Sequence, residues 1–354
     1  MNITFEKTTN LKNKPDEKNL GFGKYFTDYM FTMDYEDGIG WHNAKIEPYG
    51  PIPMDPGAMV LHYAQEVFEG MKAYRTKSGK VQLFRPDMNA IRMQKSCERL
   101  CMPQMPVEIF VKAVSAIVEK EKEWVPHSDG TSLYIRPFMF GNESVIGVHV
   151  PKKYKFMIIL SPVGSYYPEG VNPTKIYVEE EYVRATKGGT GFTKCGGNYA
   201  ASLAAQAKAQ KLGYTQVLWL DGVERKYVEE VGTMNVMFKI NNEIWTAPLD
   251  GSILAGITRD SCIKILKDWG YVVREEPIAI DFLIESGKNG QLEEAFGTGT
   301  AAVISPIGFL AYKNESIEIN NFKTGTLTQK LYDTLTGIQW GNEEDKYNWT
   351  VEIK

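Results

Sequence analysis

The chain has 354 residues, 43% hydrophobic and 24% charged, with a formal net charge of −4, so one large or two ordinary soluble domains fit its length and composition. No basic excess exists to neutralise phosphates, which excludes a nucleic-acid partner, and no apolar run approaches the ~20 residues of a membrane span. The polar opening, MNITFEKTTNLKNKPDEKNL, lacks both the apolar stretch of a secretory leader and the Arg-rich character of a transit peptide. In chain order, this polar segment forms a loose arm. A strand over Tyr25–Tyr35 follows, closed by turn residues Glu36-Asp37-Gly38. Apolar, aromatic-rich runs at Leu61–Tyr74 (in part), Val81–Phe84, Ser132–Phe140 and Lys155–Ser161 read as strands. Two helices interrupt them. Pro86–Cys101 opens on Pro-Asp, a good first-turn pair. Pro106–Trp124 places Val107, Phe110, Val111, Val114, Ile117 and Val118 on one face.

The stretch Tyr166-Tyr-Pro-Glu-Gly-Val-Asn-Pro173 breaks the pattern with two prolines and a glycine. The expected organisation is an N-terminal α/β domain over 1–165, a linker over 166–174 and a C-terminal domain over 175–354. The second half begins with strand Lys175–Glu179 and a glycine-rich run, Lys187-Gly-Gly-Thr-Gly-Phe-Thr-Lys194-Cys-Gly-Gly-Asn-Tyr199. A helix over Tyr199–Leu212 follows, with Asn198 as N-cap and Gly213 just beyond its end. Strands at Gln216–Leu220 and Val231–Ile240, helix Thr258–Trp269, strand Tyr271–Arg274, a short helix near Ile280–Glu285 and strand Glu294–Ile304 complete the reading.

Four cysteines without a CxxC pair and four scattered histidines offer no metal site. Cys97 and Cys101, four apart in a helical pattern, read as packed thiols. So little cysteine fits a reducing cytoplasm.

Lys194 is crowded by glycines on both sides, which let backbone approach a ligand closely. It is either a nucleophilic amine with a lowered pKa or a lysine on a mobile surface loop. Gly256-Ile257-Thr258 opens a helix and is either an anion site or an ordinary N-cap. Phe296-Gly-Thr-Gly-Thr300-Ala301 is either an amide cradle for an anion or a glycine-rich turn. One carboxylate of Glu229-Glu230 should point inward, where it needs a cationic partner. Arg136, inside the apolar run Leu133–Phe140, is either a carboxylate receptor or half of a structural ion pair.

The blocks LHYAQEVFEGMKAY (61–74), LFRPDMNAIRM (83–93), TSLYIRPFMFGNE (131–143), KCGGNYAAS (194–202), QVLWLDG (216–222), EVGTMNVMF (230–238), GITRDS (256–261) and FGTGTAAVISP (296–306) together resemble the branched-chain amino acid aminotransferases. They occur in the family's order and span nearly the whole chain. The resemblance implies the two-domain α+β / α/β architecture of fold type IV, D-amino acid aminotransferase-like, with a small N-terminal and a larger C-terminal domain. It also implies pyridoxal 5'-phosphate as cofactor.

Lys194 matches the Schiff-base lysine and Tyr199 the partner of the cofactor's phenolic oxygen. Glu230 matches the partner of the pyridine nitrogen, and Arg92, Ile257, Thr258 and Thr300 the phosphate ligands. Arg184 resembles a residue at the cofactor edge. For substrate, Tyr63, Tyr134 and Arg136 match the receptor of a distal carboxylate. Thr233, Thr300 and Ala301 match the α-carboxylate end, and Phe22, Phe68 and Tyr166 the apolar wall.

The implied reaction is ping-pong transamination of leucine, isoleucine and valine with 2-oxoglutarate. The implied assembly is a homodimer or larger, in which the 141–148 loop, with Ile146 and Val148, reaches toward the partner's site. Some family members carry a CxxC pair after the GTGTA turn. Ala302 and Ser305 stand there here, so thiol regulation of that kind is not expected.

Two sister activities share the fold, D-amino acid aminotransferase and aminodeoxychorismate lyase. Their members usually lack the EGMKAY and LYIRP blocks. A penicillin-recognising serine hydrolase is the distant alternative, through Ser261-Cys-Ile-Lys264, Tyr312-Lys-Asn314 and Lys323-Thr-Gly325. Its second and third elements lie too close together for that fold.

Overall fold

The computed structural model describes residues 1–164 and 171–354. The chain forms two compact units. One comprises Met1–Tyr166, Thr193–Gly196 and Gly337–Lys354, the other Tyr167–Phe192 and Gly197–Thr336.

The first unit contains β1 (Thr4–Phe5), β2 (Tyr29–Glu36), β3 (Gly40–Pro48), α1 (Met59–Tyr63), β4 (Glu66–Phe68), β5 (Met71–Arg75) and β6 (Val81–Phe84). Helices α2 (Pro86–Arg99) and α3 (Val107–Lys120) and the long hairpin β7 (Ser132–Gly141) and β8 (Lys153–Val163) follow. The sheet order is β1-β3-β2-β8-β7-β5-β6, with β4 also on β7. Period-2 alternation buries Phe31 and Met33 on β2, Leu133 and Ile135 on β7, and Phe156, Ile158 and Leu160 on β8. The apolar stripe of α3, through Phe110, Val114, Ile117 and Val118, joins the same core. Each such side chain, fully buried, contributes roughly 1.5–3 kcal/mol. α2 adds Ala90, Met93 and Cys97.

The second unit contains β9 (Thr174–Val178), α4 (Gly196–Ala200), α5 (Leu203–Lys211), β10 (Gln216–Leu220), β11 (Val228–Val231), β12 (Met234–Ile240) and β13 (Glu243–Thr246). It continues through α6 (Ile257–Asp268), β14 (Val273–Glu275), α7 (Ile280–Lys288), β15 (Leu292–Gly299), β16 (Val303–Tyr312), β17 (Glu315–Glu318) and α8 (Thr326–Gln339). Pairing runs β11-β10-β9-β16-β15-β12, and β12 pairs back to β11, closing a ring. β13 and β14 extend from β12, and β17 from β16. The ring's apolar content includes Ile176, Leu218, Val236, Phe238, Ala295 and Leu310. Closure removes the edges that an open sheet would expose.

Several expectations are corrected. Val231–Ile240 is not one strand: Gly232-Thr233 forms a two-residue turn, with Val231 paired to Met234 and Glu230 to Asn235. Gly232 has φ +55, the left-handed geometry such a turn demands. Glu294–Ile304 is likewise a hairpin, β15 turning into β16 through Thr300–Ala302. The single helix Tyr199–Leu212 is two short ones, α4 and α5. Asn198 does not cap a helix but bonds Thr190 through its side chain.

Cys101 is exposed, just past the end of α2, with φ +54, whereas Cys97 is buried. The C-terminal β18 (Thr350–Ile353) pairs with β6, so the chain's end belongs to the first unit, as does Thr193–Gly196. The second unit is therefore not all of 175–354, and the first unit is the larger one. No helix among the described residues is long and apolar enough to cross a membrane.

Candidate active site

In the first unit, Lys194 is held at both ends of its peptide. Its N–H donates to Ser96 Oγ at 3.0 Å, and its carbonyl accepts from the Phe68 N–H at 2.9 Å. Two residues on, the Gly196 N–H donates to the Glu66 carboxylate. A Cβ at Gly196 would lie 2.2 Å from Glu66 Oε1, so any side chain there would push that carboxylate aside. Lys194 is thus clamped to β4 and α2, which rules out the mobile-loop reading. Its Nζ lies 4.7 Å from the Phe68 ring centroid. Burial, reinforced by the Arg92 and Arg136 guanidiniums and opposed by Glu69 and Tyr134, pushes its pKa down to about 8. A lysine so placed gives up its proton far more readily than an ordinary lysine, and its neutral form is nucleophilic.

The groups around it are paired. Glu69 is fully buried and takes Arg92 Nε and Nη2 at 2.8 Å each. It also accepts from Asn89 Nδ2 at 2.7 Å and the Gly70 N–H at 3.2 Å. Arg136 Nη2 donates to Tyr134 Oη at 3.0 Å, and its guanidinium lies 4.6 Å from the Phe68 ring. Arg136 Nε is buried with no hydrogen-bond partner among the described residues. Phe22 packs edge-on against Tyr134 at 4.9 Å. The structure therefore brings Lys194, Arg92, Phe22, Phe68, Tyr134 and Arg136 together in one unit. Tyr63 sits at the end of α1 with its ring exposed. Tyr166 lies outside the described residues.

In the second unit, Arg184, Tyr199, Glu230 and Thr233 line one small cleft with Asn198, Ser202 and Leu254. Glu230, buried on β11, accepts from the Leu254 N–H at 2.9 Å and Asn235 Nδ2 at 3.4 Å. Arg184 Nε lies 3.2 Å from Glu230 Oε2, as an ion pair without hydrogen-bond alignment. Arg184 Nη2 donates to the carbonyls of Gly191 and Ser252. Asn235 also bonds the Leu254 carbonyl, tying Glu230 to the segment that opens α6. Ile257 and Thr258 form the buried first turn of α6 behind N-cap Gly256. Thr300 and Ala301 are half-buried in the β15–β16 turn.

The chain matches the family model for class IV amino-transferases over residues 66–308. It is 55% identical over 352 residues to branched-chain-amino-acid transaminase 1 of Bacillus subtilis (strain 168), covering 99% of each chain. The branched-chain amino acid aminotransferase from Escherichia coli has a similar structure, with TM-score 0.74, 25% identity and coverage of 92% of this chain and 99% of that one. The chain belongs to the branched-chain amino acid aminotransferases of class IV. A T.th. branched-chain amino acid aminotransferase, solved with pyridoxamine 5'-phosphate, matches with TM-score 0.75 and 26% identity over 91% of this chain and 98% of that one. The architecture is accordingly the two-domain fold type IV of these aminotransferases.

Within this aminotransferase, the hydrolase reading fails on geometry. Ser261 is fully buried and donates to the Ile257 carbonyl at 2.9 Å, while Lys264 is exposed and paired to Asp260 at 2.8 Å. Neither is free to act on a substrate. Cys195 has a structural place: it is buried in the first unit's core, its sulfur accepting from Thr193 Oγ1 at 3.3 Å. Sequence reasoning missed Glu69, Asn89, Ser96 and Asn235. Glu69 had a signal, a carboxylate set within the apolar run Val67-Phe-Glu-Gly-Met71.

Proposed function

We infer that this aminotransferase transfers amino groups between L-leucine, L-isoleucine or L-valine and 2-oxoglutarate, using pyridoxal 5'-phosphate in a ping-pong cycle. The observation that carries the chemistry is Lys194, clamped by Ser96 and Phe68 with its amine pushed down to about 8. The donor set fits the cofactor. It provides a nucleophilic amine for an aldehyde, buried guanidinium N–H groups of Arg136 and Arg184 that lack hydrogen-bond acceptors, and a buried carboxylate at Glu230.

When bound, the cofactor supplies an electron sink for the negative charge left at the substrate's Cα. Lys194 would hold the cofactor through its amine, and its Nζ would take the substrate's Cα proton and later return one. Glu230 receives the ring N–H, with Arg184 as its buried countercharge, and Tyr199 donates to the phenolic oxygen. Arg92, Thr300 and the start of α6 at Ile257 and Thr258 hold the phosphate. Arg136, Tyr134 and Tyr63 receive the distal carboxylate of glutamate, and Thr233, Thr300 and Ala301 its α-carboxylate. Phe22, Phe68 and Tyr166 form the apolar wall for branched side chains.

The assembly in this reading is a homodimer or larger. The exposure of Val145, Ile146, Val148 and Val150 supports it, since a row of exposed aliphatic residues fits a contact surface. Four free cysteines support a reducing cytoplasm.

The test is an absorbance spectrum of the purified holoenzyme before and after L-leucine. A yellow band that bleaches to the pyridoxamine form is expected. A band that ignores L-leucine but responds to D-alanine would move the enzyme to the sister activity. No band after soaking with pyridoxal phosphate would overturn the reading.

A further inference from the structure

Glu66, on β4, stands on the same face of the first unit's sheet as Arg136. Antiparallel pairing sets Glu66 opposite Phe140 and Phe68 opposite Phe138. Alternation along β7 puts Phe140, Phe138, Arg136 and Tyr134 on one face. Phe68, two residues along from Glu66, has both cations of the site beside its ring. The Arg136 guanidinium lies 4.6 Å and Lys194 Nζ 4.7 Å from the ring centroid. All of these residues belong to the first unit.

Glu66 is half-buried and accepts the Gly196 N–H. Gly196 is two residues from Lys194, so this bond extends the hold that Ser96 and Phe68 have on the lysine's own peptide. Burial raises the Glu66 pKa, and the Gly196 N–H and the charge of Arg136 oppose that rise. Arg136 itself has neutral partners. Its Nη2 donates to the Tyr134 phenol at 3.0 Å, and its buried Nε has no hydrogen-bond partner among the described residues. Glu66 therefore reaches Lys194 through the backbone and Arg136 through charge.

A pocket that takes both leucine and glutamate has to tolerate a guanidinium when no carboxylate is bound and to release the carboxylate when one is. A fixed negative charge nearby serves both needs. It offsets part of the cost of the guanidinium in the first case and competes with the substrate in the second. We propose that Glu66 sets the balance between the two substrates: its carboxylate weakens the hold of Arg136 on the distal carboxylate of glutamate and 2-oxoglutarate, and its bond to the Gly196 N–H positions Lys194. This rests on the assignment of Arg136 as receptor of that distal carboxylate.

The test is single-turnover absorbance kinetics of the holoenzyme at pH 8, with L-leucine in one half-reaction and 2-oxoglutarate in the other. Glu66→Gln removes the charge and keeps an oxygen for the Gly196 N–H, whereas Glu66→Ala removes both. In either variant the half-saturating concentration of 2-oxoglutarate should fall by about threefold or more relative to that of leucine. Glu66→Ala should also slow both half-reactions by about fivefold or more beyond Glu66→Gln, because it alone loosens the Lys194 segment. On an Arg136→Ala background, Glu66→Gln should not change the ratio of half-saturating concentrations. Either variant reads that ratio, so the misfolding of one leaves the other to decide. A ratio unchanged or raised in a folded variant would overturn the proposal. So would the same fall in the absence of Arg136, or equal slowing by Gln and Ala. If Arg136→Ala alone weakens both substrates equally, the assignment of Arg136 fails and the proposal fails with it. If Arg136→Ala weakens 2-oxoglutarate selectively and Glu66→Gln does nothing, the assignment stands and the proposal alone falls.

Discussion

Replacing Lys194 by Met should abolish activity and yet stabilise the cofactor-free protein at pH 7. Placing this amine among buried neighbours lowers its pKa from 10.5 to about 8, which costs the charged form about 3 kcal/mol. At pH 7 both the folded and the unfolded chain carry the proton, so the folded protein bears the whole penalty. Between about pH 8 and 10.5 the unfolded chain binds the proton and the folded chain does not, so stability rises with pH across that window. Above 10.5 both are neutral and the penalty is gone. Met keeps much of the stem's volume and removes the charge. The variant should therefore exceed the parent by up to about 3 kcal/mol at pH 7 and by almost nothing at pH 10.5.

Urea unfolding of both proteins without cofactor measures this difference. With a slope on the order of 2–3 kcal/mol per molar, the midpoint at pH 7 rises by about 1 M. A variant less stable than its parent at pH 7 would refute the reasoning. So would an advantage that persists undiminished at high pH, since burial of the charged amine would then not be the cause.

Glu69→Ala leaves the buried Arg92 guanidinium without its counter-ion and should cost the cofactor-free protein roughly 3–5 kcal/mol. The same urea measurement checks it, and excess pyridoxal phosphate should recover part of the loss if Arg92 binds the phosphate. Arg136→Ala should slow the glutamate half-reaction at least tenfold more than the leucine one. Single-turnover absorbance kinetics decide this, and equal losses would show that Arg136 does not receive the distal carboxylate. Glu230→Ala should lower kcat by at least 100-fold in both half-reactions while the protein still takes up cofactor, checked by spectrum and rate together. Ser261→Ala should leave kcat within about twofold and cost roughly 1 kcal/mol of stability for one buried hydrogen bond.

How much of this is legible in the sequence depends on whether the information is local. The helices α2, α3, α6 and α7 are readable because an apolar stripe repeats along each, and strands such as β6 and β10 because short apolar runs end in turn residues. Both hairpins read as single strands for one reason. Gly232-Thr233 and Thr300–Ala302 are small residues inside long buried runs, and a run buried on both sides shows no alternation to mark where the chain reverses. β18 is invisible because Thr350–Ile353 finds its partner, β6, more than two hundred residues earlier.

The candidate site divides along the same line. Lys194, Glu230 and Arg136 stand out as charged residues in glycine-rich or apolar surroundings. What holds them does not, because a partner is a fact of tertiary structure. Glu69 meets Arg92 across 23 residues, and Ser96 meets the Lys194 N–H across 98. These supports belong to the chemistry. An amine pushed down to about 8 requires burial, and burial of a lysine beside two guanidiniums is tolerable only if a carboxylate is fixed among them. The sequence displays the reacting groups. The cost of assembling them is visible only in the carboxylates that the fold brings to meet them.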